Sequence, residues 1–250
     1  MKKKILIGLA VIFVLAFITF YIFSRPTLND DGAYIPSPLA LQLATSSTTD
    51  FDNTTYENPY TGSKKVLMIC TEERNMTMAN GKKFSTGNQP VEMMLPMLHL
   101  NNAGFDIDII TPTGKPVKIE MWAMPEEDKQ VMALYAAYKS QFENPKSLAD
   151  FVQNHVNDST ETNYIAIYLP GGHGAMLGLP DNKDLNKLIH WSHKRDMHML
   201  AICHGPAALL AASSDGNEDS FIYKGYKIDL MIFMIYQVRL SCQVVITQIY

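Results

Sequence analysis

Between residues 64 and 212, short apolar runs of strand length alternate with longer stretches in which apolar residues recur on one helical face. "KKVLMIC" (Lys64–Cys70) predicts a buried first strand. "VEMMLPMLHLNNAG" (Val91–Gly104) predicts an apolar-faced helix closed by a glycine C-cap, and "FDIDIIT" (Phe105–Thr111) a second strand. A long helical region from Glu126 to Asn154 follows, then "YIAIYLPGGHG" as strand and glycine-rich loop, then a helix over Asn182–Lys194. Last come the strand "HMLAIC" and the helix former "PAALLAA". Strands alternating with helices predict an α/β fold, a mostly parallel sheet covered on both faces. Ligands of such sheets bind beyond the carboxyl ends of the strands, where Cys70, the loop Gly171–Gly174 and Cys203 all fall.

The N-terminus is patterned differently. An uncharged run from Ile5 to Phe23 follows Lys2, Lys3 and Lys4. It is close to the roughly 20 residues a bilayer span needs and longer than the roughly 7–15 of a signal-peptide core. Residues 1–25 therefore predict an uncleaved signal anchor, with a cleaved signal and secretion as the alternative. The lysines outweigh Arg25, which keeps the N-terminus cytoplasmic and puts the domain on the extracytoplasmic side of the membrane. Residues 26–63, rich in Ser, Thr, Asn, Asp and Pro, predict a polar linker; residues 64–229 form the α/β domain, and 230–250 an atypical apolar tail. The chain's 250 residues suit one domain with appendages, and a net charge of -4 gives no case for nucleic acid. Cys70, Cys203 and Cys242 follow neither metal-binding nor disulfide spacing.

"LAICHGPAALLAA" (Leu200–Ala212) turns from strand to helix at Cys203. A turn that sharp lifts the apical side chain out of the sheet toward a helix N-terminus, where a thiolate is stabilised. Inert packing is the competing reading, since free cysteines are commonly buried. His204 is either a polar residue at a helix start or the base partner of a Cys–His pair. Glu92 sits in the first turn of its helix, which the helix dipole favours by itself, or it shares a proton with Cys203 as general acid or base. The glycine loop satisfies any tight strand-to-helix turn, or its backbone N–H groups form an oxyanion hole.

Taken together, "STGNQPVEMMLPMLHLNNAGF", "EMWAMP", "YLPGGHGAMLGLP" and "AICHGPAALLAA" resemble the heat-shock chaperone, glyoxalase III and protein deglycase branch of the ThiJ/PfpI superfamily, which is class I glutamine amidotransferase-like. The resemblance runs from Tyr56 to Asp229. It implies a flavodoxin-like three-layer α/β sandwich with a mostly parallel sheet, and cofactor-free conversion of methylglyoxal to lactate with related removal of early glycation adducts. On this resemblance Cys203 is the nucleophile, His204 its adjacent base, and Glu92 the carboxylate that bonds the thiol and shuttles protons. The backbone of Gly172, with that of His204, supplies the oxyanion donors.

Two departures stand out. Members of the branch often carry a two-histidine, one-carboxylate metal site, but the matching positions here are Asn101, Asp106 and Tyr138; no metal and no other cofactor are expected. The segment carrying the family's triad aspartate is replaced after Asp229, with Tyr236 near the place of the acid, so the domain reads as incomplete. The implied partners are a small reactive aldehyde or a glycated protein, the membrane through the N-terminal helix, and no nucleic acid; a homodimer is left open. Two other readings stand beside the enzyme: a non-catalytic holdase chaperone and a cysteine amidase of the same superfamily.

Overall fold

The computed structural model describes residues 2–156, 162–213 and 218–226, with the side chains of residues 2–4, 6 and 218 outside that set. In chain order the elements are helix α1 (Lys2–Phe23), strands β1 (Thr27–Leu28) and β2 (Tyr34–Ile35), helix α2 (Pro38–Ala44), and strands β3 (Lys65–Ile69), β4 (Asn75–Thr77) and β5 (Lys83–Ser85). Helix α3 (Pro90–Asn102), strand β6 (Ile107–Thr111), helix α4 (Lys129–Glu143), strand β7 (Lys146–Ser147) and helix α5 (Leu148–His155) follow. Strand β8 (Tyr164–Leu169), helix α6 (Lys183–His193) and strand β9 (His198–Ala201) lead into a 3-10 helix over Gly205–Ala212.

Five strands form a parallel sheet in the order β7-β6-β3-β8-β9. The strands are continuous apolar runs because each face is covered by helices. Alternation along a strand sorts their side chains: Val66, Met68, Cys70, Ile107, Ile109 and Tyr168 pack with Met93, Met94 and Met97 of α3 and with Val131 and Leu134 of α4. Leu67, Ile69, Ile110, Ile167 and Leu169 pack on the other face with Leu148 and Phe151 of α5, with Leu185 and Leu188 of α6, and with Ala208 and Leu209 of the 3-10 helix. The result is the three-layer flavodoxin-like sandwich. From β3 the chain moves outward to β6 and then returns across β3 to β8. The carboxyl ends of β3 and β8 therefore flank a topological switch point, where a crevice opens.

Two helices replace the long one expected over 126–154. Asn144 precedes Pro145, a residue that lacks an amide donor and disfavours helical backbone before it. Helix α4 accordingly ends at Glu143, β7 pairs with β6 at Ile110–Lys146, and the Ser147 hydroxyl caps α5 by accepting from the Asp150 N–H at 3.2 Å.

Within residues 26–63, β1 and β2 join β5 and β4 in a second small sheet, with Tyr34 opposite Phe84. The Thr49 N–H donates to Asp128 at 3.0 Å, and Tyr60 stacks on Phe105 with ring centroids 4.7 Å apart. Gly104, at φ +90°, has no alternative there, because a Cβ would stand 2.1 Å from the Tyr60 carbonyl oxygen.

The membrane expectation is corrected. Among the described residues no helix is long and apolar enough to cross a membrane. The single-pass anchor, the membrane partner and the extracytoplasmic placement are given up on this ground. The apolar tail over residues 230–250, together with Asp229 and Tyr236, lies outside the described residues.

Residues 87–89 line the switch point, and Asn88 holds them there. Buried at 1% exposure, its Oδ1 accepts from the Thr71 N–H at 3.1 Å, while its Nδ2 donates to the carbonyls of Thr71 at 3.0 Å and Lys118 at 2.7 Å. Asn88→Ala leaves the Thr71 N–H unpaired in the interior and removes one of two hydrogen bonds from each of the Thr71 and Lys118 carbonyls. It is expected to destabilise the fold by about 2–4 kcal/mol, read from urea unfolding, whereas the exposed Asn80→Ala should change stability by less than about 0.5 kcal/mol.

Candidate active site

Strand β9 ends at Ala201, and the turn that follows holds Cys203 at φ +53°, a left-handed conformation that side chains seldom adopt. The turn closes with the Gly205 N–H donating to the Ile202 carbonyl at 2.7 Å. Gly205 is required because a Cβ there would lie 2.2 Å from the Leu169 carbonyl oxygen. This strand-to-turn geometry aims the thiol out of the sheet toward the switch point, as a nucleophile elbow does. The residues after it form a 3-10 helix rather than the expected α-helix. The His204 Nδ1 lies 3.2 Å from the Cys203 Sγ, and the backbone N–H groups of His204 and Gly172 are directed at the sulfur.

Glu92 arrives from the neighbouring side. Gln89 caps α3, its Oε1 accepting from the Glu92 N–H at 2.7 Å, and the Tyr168 hydroxyl donates to the Glu92 carbonyl. The carboxyl then faces the thiol, with its Oε2 buried and without a hydrogen-bond partner. Burial pushes the Glu92 pKa up to about 7, opposed by its interactions with the Cys203 thiol and the Gly172 N–H. Burial, followed by the negative charge of Glu92, pushes the Cys203 thiol up to about 12. The expectation of a resting thiolate is therefore corrected: a buried sulfur beside a carboxylate keeps its proton, and two N–H groups offset only part of that effect. The pair holds a proton on sulfur and a carboxyl poised near neutrality to take it.

The glycine loop permits this approach. A Cβ at position 171 would stand 2.0 Å from the Glu92 Oε2 and 2.8 Å from the Cys203 Cβ. Gly172 sits at φ +98°, and a Cβ there would meet the Gln89 nitrogen and the Gly87 oxygen, each at 2.5 Å. The Gln89 N–H donates to the Gly171 carbonyl at 3.0 Å, and the Gly174 N–H donates to the Gly87 carbonyl at 2.9 Å, stitching the loop to residues 87–89.

Cys203, His204, Glu92 and Gly172 are thus brought together. Two further residues stand beside them that the sequence reading did not single out. Glu120, 3% exposed, is drawn in by a parallel bridge between Asn88 and Ile119 and accepts from the Thr86 hydroxyl at 2.6 Å. Its Oε1 lies 3.9 Å from the Nδ1 of His173, the histidine of the "GGHG" loop, whose ring centroid is 4.5 Å from that of His204. The available signal was a titratable residue inside a glycine loop at a strand's carboxyl end. Cys70, just past the end of β3, is fully buried in the core against α3, and burial pushes its thiol far up.

The positions matching the family's metal site do not fit a metal. The Tyr138 hydroxyl donates to the Asn101 Oδ1 at 3.1 Å, and burial raises the phenol's pKa further, which leaves an amide, a neutral phenol and one carboxylate, Asp106.

Glu92 also carries a linkage consequence. Its folded pKa, near 7, exceeds its ordinary value of 4.5, so between those values the folded chain holds the extra proton and stability falls as pH rises. Glu92→Gln removes this penalty. The stability of the variant relative to the parent is expected to improve between pH 5 and pH 8 by up to about 3 kcal/mol, measured by urea unfolding at both pH values. An unchanged difference would mean that the carboxyl ionises freely in the folded chain.

With this geometry in view, the sequence profile of the DJ-1/PfpI family matches residues 83–232. A protein/nucleic acid deglycase of Pseudomonas aeruginosa is 45% identical over 203 residues, covering 81% of this chain and 69% of that protein. A protein/nucleic acid deglycase of Staphylococcus aureus is 42% identical over 204 residues, covering 81% and 68%. Among solved structures, the rapid encystment protein of Francisella tularensis is 28% identical over 61% of this chain and 64% of that one, with a TM-score of 0.48. With the family profile matched over more than half of its length, and relatives this similar along most of it, the chain belongs to the DJ-1/PfpI family.

Proposed function

We propose that the chain is a cofactor-independent enzyme of the glyoxalase III and protein deglycase type, acting on methylglyoxal or early glycation adducts through the Cys203 thiol. The observation that carries this reading is the meeting of a left-handed Cys203 with a buried Glu92 carboxyl at the switch point. The similarity to relatives named as deglycases supports it.

Each group then has a chemical task. Glu92, ionised, takes the Cys203 proton as sulfur adds to the aldehyde carbon of methylglyoxal; a C–S bond forms, the carbonyl π bond breaks, and the proton passes to oxygen as a hemithioacetal. The backbone N–H groups of Gly172 and His204, which lie against the sulfur, then stabilise the charge on that oxygen in this reading. A base, Glu92 or His204, removes the proton from the former aldehyde carbon, and the resulting enediolate is reprotonated on the adjacent carbon. The product is a thioester of lactate. Water adds to it, the C–S bond breaks, and the proton returns to sulfur. The sum is methylglyoxal plus water to lactate, with no net oxidation.

Cys203→Ala is expected to lower methylglyoxal consumption by on the order of 10³-fold or more, followed as lactate formed by the full chain. Full activity in that variant, with aggregation of an unfolded client still suppressed, would favour a holdase. Glu92→Gln should lower the rate by roughly 10²–10⁴-fold. Because Glu92 must be ionised to accept the thiol proton, kcat/KM is expected to rise with pH through a midpoint near the group's pKa of about 7. A midpoint near the ordinary carboxylate value of 4.5 would remove Glu92 from the role of base.

A further inference from the structure

In a nucleophile–base pair the imidazole is usually fixed by a carboxylate hydrogen-bonded to its far nitrogen. His204 has no such partner among the described residues. One of its nitrogens faces the Cys203 Sγ at 3.2 Å, and one side of its ring lies against the His173 ring at 4.5 Å, with the planes 35° apart. His173 is itself held on two further sides. Its Nδ1 lies 3.9 Å from the buried Glu120 carboxylate, and the Phe84 ring meets it edge-on at 5.7 Å. Glu120 is in turn fixed by the Thr86 hydroxyl and by the backbone bridge at Asn88. A chain of contacts thus runs Thr86, Glu120, His173, His204, Cys203, with the carboxylate one residue further from the imidazole than in a triad.

We infer that His173, anchored by Glu120, is a positioning residue that fixes both the orientation and the protonation state of His204 beside the thiol. The inference rests on the proposed nucleophilic role of Cys203.

The charges around the contact bear on this. His173 faces Glu120 and Glu92, and bonding to Glu120 raises its pKa. His204 faces Cys203, His173 and Glu120; burial, followed by the charge on His173, lowers its pKa. Glu92 faces Cys203, Glu120 and His173, and His173 lowers its pKa. A protonated His173 therefore keeps His204 neutral, and so able to accept a proton from sulfur. It also favours the ionised form of Glu92, the form that can act as base. Both effects make thiol deprotonation easier at a given pH. The His173 side chain is 42% exposed, so solvent screens part of its field on Glu92, but the direct ring contact with His204 is less screened.

The test uses the full chain with two variants, His173→Phe, which keeps an aromatic ring against His204, and His173→Gln, which keeps a donor toward Glu120. Each lacks the charge, so the two together guard against a packing artefact. Two readouts are independent of turnover: the NMR titration of the His204 imidazole, assigned by its loss in His204→Gln, and the pH dependence of Cys203 alkylation by iodoacetamide, mapped by mass spectrometry. In both variants the His204 midpoint is expected to move up by about one pH unit, within the usual spread for histidines in folded proteins, and the half-maximal pH of Cys203 alkylation should rise with it. A purely structural role would lower the unfolding midpoint and leave both titrations in place. Unmoved His204 midpoints in both variants, with Cys203 still the first thiol labelled in the parent, would overturn the positioning role. Labelling of another cysteine first in the parent would instead overturn the nucleophile assignment beneath it.

Discussion

The site depends on one close approach: Glu92 and Cys203 can meet only because no Cβ stands at position 171, where it would lie 2.0 Å from one and 2.8 Å from the other. Everything around that gap is arranged to keep it narrow. Gly172 takes a backbone conformation reserved for glycine, and a side chain there would collide with Gly87 and Gln89. Residues 87–89 in turn are clamped from three directions: by Thr71 beyond β3, by Lys118 and Glu120 on one flank, and by the glycine loop on the other. Asn88 supplies three of those bonds with one side chain.

Electrostatics then follow from burial rather than from any single charge. Burial in a low-dielectric pocket raises the pKa of both acids; the charge on Glu92 raises the thiol's further while the thiol's hydrogen bond lowers that of Glu92, and the thiol, the weaker acid, keeps the proton. A carboxyl shifted to near neutrality is a better proton carrier at physiological pH than an ordinary glutamate, which is too weakly basic to accept from a thiol. The reactivity of the proposed nucleophile therefore lies in the pair and not in a pre-formed thiolate. The helix dipole that was expected to supply that thiolate is weaker here, since the segment after Cys203 is a 3-10 helix over Gly205–Ala212.

What the sequence made legible is what local pattern encodes. Apolar runs bounded by glycine marked β3, β6, β8 and β9, and their alternation with helices implied the parallel sheet. The strand-turn character of "AICHGP" singled out Cys203, and a carboxylate in a helix's first turn singled out Glu92. The break at Asn144 and Pro145 was equally local and was overlooked, because helical propensity on either side outweighed one proline. Glu120 and His173 were hidden for a different reason. They lie 53 positions apart, and nothing near either one reports that a bridge at Asn88 and a bond from Gly174 to Gly87 will carry them to the same place. The pairing of β2 with β5 was hidden likewise, since polar composition alone reads as a linker.

The strain at Cys203 shows how far the site is governed from outside itself. A non-glycine residue at positive φ costs on the order of 1–3 kcal/mol, and it persists only where both flanks are over-determined. On one side β9 is locked to β8 by the pairing of Leu169 with Ala201; on the other, Gly205 tucks beneath the Leu169 carbonyl, where no side chain fits. Both anchors are on Leu169, a residue 1% exposed whose side chain belongs to the core and touches none of the chemistry. The orientation of the thiol is thus set by the register of two buried strands, and a packing change at Leu169 would reach the reactive sulfur through two backbone contacts without altering any residue of the site.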